Sequence, residues 1–296
     1  MAPATGSTTD LLPSPARQRA CLAATVHNEP VSDPPPVGPR VHPPPVDRAL
    51  VAEAVELARM AGRSTLRWFR SRDLAVDAKD DGTPVTVADR ETERLVRDEL
   101  ARRHPDDGVV GEEEADTTGV SGRTWTVDPI DGTKAFTHGV PLYSTLLALA
   151  DGYGPAVGVI DLPALGETVW AGRGLGCFCD DEAVRVSTRR ELAGAYVMTS
   201  AVDHWPPGAL DRLHGAGAVV RTWGDGYGYA LVATGRVDAM IDPAAAPWDL
   251  AAMPVILAEA GGNFSDIGGR PGADGGSGVA ANPHLHDALL TLLAPR

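Results

Sequence analysis

The sequence predicts a mixed α/β fold, and three observations carry that expectation. Two segments, 47–69 and 89–104, repeat apolar residues at helical spacing: Leu50, Ala54, Leu57, Ala58 and Ala61 in the first, Leu95, Val96 and Leu100 in the second. Short apolar runs of strand length follow at 109–110, 124–127, 144–150, 156–161 and 168–171. The chain has 296 residues, enough for one large α/β domain or two packed halves.

The first 45 residues stand apart. They are rich in proline around 34–36 and 43–45, show neither helical nor strand period, and are expected to be disordered. Their Ser/Thr-containing, acid-poor start faintly suggests a transit peptide. With no amphipathic Arg face and no secretory apolar core, an untargeted extension, or a misplaced start codon, is expected instead. The folded part is expected to span 46–296, in two packed halves of about 46–190 and 191–296. Helix 47–69 opens it, helix 89–104 follows, and the strand runs at 109–171 complete the first half. In the second half, strand segments at 196–200, 219–221 and 239–241 alternate with helices near Leu210, at 227–234 and at 251–260, where Gly261 supplies a stop.

The stretch Trp125-Thr126-Val127-Asp128-Pro129-Ile130-Asp131-Gly132-Thr133 ends one of these strands on two carboxylates. Trp125, Thr126 and Val127 read as strand, Pro129 fixes φ and has no N–H, and Gly132 can take backbone shapes closed to other residues. The expected turn bends Asp128 and Asp131 toward one point. Two hard oxygen anions held together repel unless a hard cation sits between them, and Mg²⁺ bound by carboxylates and a substrate phosphate is the common solution. The alternative is a turn in which both acids only bond backbone amides. Glu112, in Gly111-Glu112-Glu113-Glu114, follows the apolar pair Val109-Val110. Asp249, in Trp248-Asp249-Leu250-Ala251-Ala252, stands where a helix begins, a position favoured for Asp as an N-cap and by the helix dipole. Each acid alone reads as a cap or a solvated charge; together they point to a metal and phosphate site.

Four motifs occur in one order: Pro84-Val85-Thr86-Val87-Ala88-Asp89, then Gly111-Glu112-Glu113, then Asp128-Pro129-Ile130-Asp131-Gly132-Thr133, then Trp248-Asp249-Leu250-Ala251-Ala252 with Glu259-Ala260-Gly261-Gly262. In this the chain, from about Val46 to its end, resembles the inositol monophosphatase superfamily of Mg²⁺-dependent, Li⁺-sensitive phosphatases. The resemblance implies an α-β-α-β-α sandwich with the active site between two halves. It implies that Glu112, Asp128, Asp131, Asp249 and the backbone carbonyl of Ile130 hold two or three Mg²⁺ ions, and that Thr133, paired with Asp89, orients and deprotonates the attacking water. Amides behind Gly132, at Thr133 and beyond, are expected to bind phosphate oxygens. Lys79 stands near the position of a family lysine on a metal loop, at a slightly different spacing. Members are commonly dimeric, so a homodimer is expected.

Within the superfamily, Arg221-Thr222-Trp223-Gly224-Asp225-Gly226-Tyr227-Gly228-Tyr229 looks most like the histidinol-phosphate phosphatase branch. Asp225 stands where inositol phosphatases usually carry a small residue, and Asp242 matches a family position facing the organic part of the substrate. Two acids there suit a substrate with an ammonium and an imidazole, through charge-assisted hydrogen bonds. The implied reaction is hydrolysis of L-histidinol phosphate in histidine biosynthesis. Inositol 1-phosphate or another sugar or nucleotide monoester is the alternative substrate, and a cap on a helix starting near Tyr227 is the alternative role of Asp225.

Composition limits the partners. Against 26 Lys and Arg stand 40 Asp and Glu, for a net charge of −14 without a basic block, so nucleic acid and anionic membrane are poor partners and a small phosphate monoester is expected. Nothing approaches eighteen unbroken apolar residues. Three cysteines, Cys21, Cys177 and Cys179, are too few and odd in number for a disulfide framework, which places the protein in a reducing compartment, the cytoplasm. Cys177-Phe178-Cys179 lacks a second pair for a soft metal, and His284 and His286 read as a surface loop. Asp-x-Asp-Gly-Thr, the nucleophile loop of haloacid-dehalogenase enzymes, separates its acids by one residue; here two intervene. A non-catalytic binding protein on the same fold would be expected to have lost a ligand, Thr133 or Asp89, and none is missing.

Overall fold

Asp47 opens the folded part by capping helix α1 (Arg48–Thr65), its carboxylate accepting the Ala49 N–H at 2.9 Å. The computed structural model describes residues 43–78 and 83–294, so the expected N-terminal disorder and Lys79 fall outside the described residues, apart from 43–45. Helix α1 stops four residues short of expectation, because the chain turns at 66–70 and lays Trp68 and Phe69 against Phe136 and Tyr143. An antiparallel ribbon of β1 (Val76–Ala78) and β2 (Pro84–Thr86) leads into α2 (Val87–Arg103), where Thr86 and Asp89 form a reciprocal capping box.

A seven-stranded sheet follows. It comprises β3 (Gly108–Gly111), β4 (Thr124–Asp131) and, after the short helix α3 (Thr133–Thr137), β5 (Ser144–Asp151), β6 (Gly154–Leu162), β7 (Glu167–Gly172), β8 (Gly176–Cys179) and β9 (Glu182–Ala183). The strands lie in chain order, with β3 parallel to β4 and every other pair antiparallel. Strand β6 is buried continuously from Ala156 to Leu162, the mark of a sheet covered on both faces.

The second half alternates β10 (Tyr196–Met198), α4 (Ala209–Gly215), β11 (Val219–Arg221), α5 (Asp225–Ala233), β12 (Ala239–Asp242), α6 (Pro247–Leu250), α7 (Met253–Glu259), β13 (Asn263–Ser265), β14 (Gly278–Ala281) and α8 (His286–Leu293). Its five strands run β11-β10-β12-β14-β13. Expected helix 251–260 is shorter and preceded by a separate turn, α6. Pro254 has no N–H to give an uninterrupted helix and sits instead in the first turn of α7, where none is needed. Sequence reasoning passed over β13, β14 and α8. The two strands are short, and their pairing with β12 decides their state more than propensity does. His286 is not in a surface loop: it begins α8, buried, with Nε2 3.1 Å from the Ser265 hydroxyl.

Neighbouring side chains on each strand divide between separate cores. Leu147, Val157 and Val159 face α1 and α2 with Leu57, Val96 and Trp125. Leu146, Ile160 and Val169 face the other way, toward Tyr229 and Val232 of α5, Ile256 of α7 and Met240 of β12. Beyond the second sheet, Val197, Ile241 and Val279 pack on Leu213 of α4 and Leu289 of α8. The order of layers is therefore helix, sheet, helix, sheet, helix, the α-β-α-β-α sandwich. No described helix is long and apolar enough to cross a membrane.

Candidate metal and substrate site

The site begins at a defect in β4. Expected to stop at Val127, the strand continues to Asp131, but its pairing with β5 shifts register: Asp128 faces Leu146 while Asp131 faces Ser144. Three steps on one strand oppose two on the other, which is a bulge. Residues i and i+3 of a regular strand point to opposite faces; one extra residue resets the alternation and brings both carboxylates to the same side. Asp249, in the first turn of α6, completes a group whose ligand oxygens all lie within 4.8 Å of one another. Asp249 accepts the Ala246 N–H at 2.8 Å as the third helical residue, not as the N-cap expected. Asp128 accepts the Ile130 N–H at 3.1 Å. Asp131 accepts the Ser144 hydroxyl at 2.6 Å and the Gly226 N–H of α5, so one oxygen ties the first sheet to the second half.

Glu112 follows β3 on a loop held by a buried carboxylate. Glu93 of α2 accepts the Glu113 N–H at 2.7 Å, the Glu114 N–H at 3.1 Å and the Arg97 guanidinium at 2.8 Å. Gly111 is required there, since a Cβ would lie 2.1 Å from Glu93 Oε1. Asp89, fully buried, accepts the Thr86 N–H at 2.8 Å and its hydroxyl at 2.6 Å. Thr133 donates its hydroxyl to the Ile130 carbonyl at 2.9 Å, with Asp89 Oδ1 as a second acceptor at 3.5 Å. Gly132 takes a left-handed φ of 83° and starts α3; a Cβ on it would meet Asp225 Oδ2 at 2.8 Å.

Asp225 and Asp242 lie in the same place. With Asp131, Asp249, Ser200 and Tyr229 they line a cleft of about 70 Å³. Asp225 is the first residue of α5, and its side chain caps nothing: the N-cap position is Gly224 without a side-chain bond. Its φ of 53° is left-handed, unusual for a residue with a Cβ.

Electrostatics sets this group apart. Burial, then the charges of Glu112, Asp131 and Asp249, holds Asp128 well above the ordinary carboxylate range; burial, then Asp225 and Asp249, does the same for Asp131. Burial pushes Asp249 and Asp242 each up to about 6 and raises Asp89 and Asp225. Among the described residues, no Lys or Arg hydrogen bond or ion pair reaches Asp128, Asp131, Asp225, Asp242 or Asp249; only the field of Lys134 acts on Asp225. Crowded hard oxygens without a cationic side chain fit a divalent ion. The cysteines do not compete: Cys177 and Cys179 are free, and burial drives the Cys177 thiol up to about 12.

Sequence reasoning missed four residues of this site: Glu93, Ser144, Ser200 and Tyr229. Glu93 carried a signal, since it stands four residues after Asp89 on one helical face. The others are set by contacts across the fold.

The geometry agrees with comparisons to known proteins. A profile of the inositol monophosphatase family matches residues 47–295. The chain is 44% identical to a histidinol-phosphatase of Mycobacterium tuberculosis over 81% of this chain and 96% of that protein, and 44% identical to a histidinol-phosphatase of Chlorobaculum parvum over 81% and 95%. Among solved structures it is similar to the extragenic suppressor protein suhB from Bartonella henselae, with a TM-score of 0.77 and 31% identity over 83% of this chain and 98% of that one. With its acids gathered at a bulged strand between two sheets and this likeness running along the whole folded part, the chain belongs to the inositol monophosphatase family.

Proposed function

We propose that the protein is a cytoplasmic, Mg²⁺-dependent phosphoric monoester hydrolase whose substrate is L-histidinol phosphate, acting in histidine biosynthesis. The observation that carries the substrate is the cleft in which Asp225 and Asp242 sit beside Asp131 and Asp249. A neutral polyol has no charge to set against two further carboxylates, whereas an ammonium and an imidazolium do. The histidinol-phosphatase names of the two relatives at 44% identity support the same reading.

Asp128, Asp131, Asp249, Glu112 and the Ile130 carbonyl would hold two or three ions. When bound, Mg²⁺ supplies neutralising charge for the phosphoryl oxygens and acidifies water. The chain's own residues do the rest. The Thr133 hydroxyl can give its proton to Asp89 Oδ1, 3.5 Å away, leaving its oxygen to take a hydrogen bond from the attacking water. Asp89 is buried and binds a proton more readily than an exposed acid, which suits it to receive that proton. Gly132 and the Thr133 amide at the start of α3 face the phosphate, and Asp225 and Asp242 hold the cationic end. The working unit is a homodimer, which sedimentation velocity checks.

The test is phosphate release with Mg²⁺ from L-histidinol phosphate, inositol 1-phosphate, fructose 1,6-bisphosphate and 3′-phosphoadenosine 5′-phosphate side by side. The highest kcat/KM is expected for L-histidinol phosphate; a preference for any of the others overturns the substrate. An aspartyl-phosphate trapped during turnover overturns the mechanism.

A further inference from the structure

Asp225 and Asp242 come from different elements, the first turn of α5 and the end of β12, and nothing local to either fixes the distance between them. Ser200, just past β10, stands between. Its N–H donates to Asp242 Oδ1 at 3.1 Å, and its hydroxyl oxygen accepts the Asp225 N–H at 2.8 Å. An oxygen that accepts this bond keeps its own proton. The hydroxyl favours the charged form of both carboxylates, against the larger opposing effect of burial.

Two further observations show that the arrangement is held tightly. Gly224 lies flat on the Ser200 backbone, where a Cβ would come within 2.2 Å of the Ser200 Cα. Asp225 keeps a left-handed φ of 53°, which persists only where its surroundings hold it. The restraints lie on either side of that backbone: the Asp225 N–H on Ser200, and the next amide, Gly226 N–H, on Asp131. A continuous path thus runs from Asp242 through Ser200 and Asp225 to the metal-site carboxylate Asp131.

We propose that Ser200 is a positioning residue for substrate choice, its hydroxyl and amide setting Asp225 and Asp242 at one spacing against the substrate's cationic end. The proposal rests on the reading of those two acids as the cation's contacts. Ser200 itself need not touch the phosphate or the reacting water.

The test is a double-mutant cycle of Ser200→Ala and Asp225→Ala, read as the ratio of kcat/KM for L-histidinol phosphate to kcat/KM for inositol 1-phosphate. Ser200→Ala keeps the amide bond to Asp242 and removes only the hydroxyl. The ratio is expected to fall about three- to tenfold, the scale of one intramolecular hydrogen bond, and mainly through KM for L-histidinol phosphate. In the Asp225→Ala background the same change is expected to add less than about twofold, because the residue-225 amide still binds the hydroxyl but the carboxylate that this bond positions is gone. Calorimetry supplies a readout apart from turnover: L-histidinol affinity falls in proportion while Mg²⁺ affinity does not change. An unchanged ratio, an equal loss on both substrates, or full additivity with Asp225→Ala overturns the role of Ser200. If Asp225→Ala lowers the ratio and Ser200→Ala does not, only Ser200 is lost; if neither does, the reading of the two acids fails with it.

Discussion

Replacing Asp131 by Asn should abolish metal-dependent turnover and make the metal-free protein more stable. Asp131 is buried beside Asp225 and Asp249, and its Oδ2 takes only neutral donors, the Ser144 hydroxyl and the Gly226 N–H. The Asn carbonyl oxygen can accept both, so the bonds survive while a buried charge is removed. A carboxylate whose folded proton affinity exceeds its unfolded value of 3.8 binds more protons folded than unfolded, so stability falls as pH rises from near 4 through the folded value. Burial and the charges of Asp225 and Asp249 both disfavour the Asp131 carboxylate, so removing that charge should stabilise the metal-free protein at pH 8 by about 1–3 kcal/mol, the ordinary scale of a single substitution, or roughly 2–10 °C in Tm for a domain of this size. Scanning calorimetry with chelator at pH 5 and pH 8 reads the gain, which should shrink at the lower pH. Millimolar Mg²⁺ should then raise the wild-type Tm and leave the variant's almost unchanged. A variant less stable than wild type at pH 8 without metal, or one with near-normal turnover in modest Mg²⁺, would refute the reasoning.

Three other outcomes follow from the same geometry. Thr133→Ala should lower kcat by about two to four orders of magnitude, the range for lost proton transfer, with Mg²⁺ affinity by calorimetry unchanged; an equal loss of metal affinity would make Thr133 a ligand. Asp225→Ala should cost about 1.5–3 kcal/mol, ten- to a hundred-fold in kcat/KM, on L-histidinol phosphate and little on inositol 1-phosphate. Gly111→Ala pushes a methyl into Glu93 and displaces the Glu112 loop, so the Mg²⁺ concentration for half-maximal rate should rise severalfold or more; an unchanged Mg²⁺ requirement would separate that loop from the metals.

What the sequence made legible were local matters. Asp128 and Asp131 are separated by two residues at a strand end, so spacing exposed them, whereas Asp89 was legible only through the family resemblance. The helical period before Thr65 was legible because one face of that helix is apolar and buried. The bulge in β4 was not, since it exists only in the register against β5. The split between α6 and α7 turned on Pro254, whose effect depends on where a helix starts. Ser200 lies 42 residues from Asp242 and 25 from Asp225, and no period or propensity links positions so far apart. His286 looked like surface because its neighbours Pro283 and His284 are exposed; the pairing of β13 with β14 puts Ser265 over it.

The most direct test of the account is a crystal structure with Mn²⁺, phosphate and L-histidinol, using anomalous scattering to place the metal. The account predicts anomalous peaks among Asp128, Asp131 and Asp249, and the L-histidinol nitrogens within hydrogen-bond distance of Asp225 or Asp242. Metal bound away from those three carboxylates, or L-histidinol turned from both acids, would contradict it.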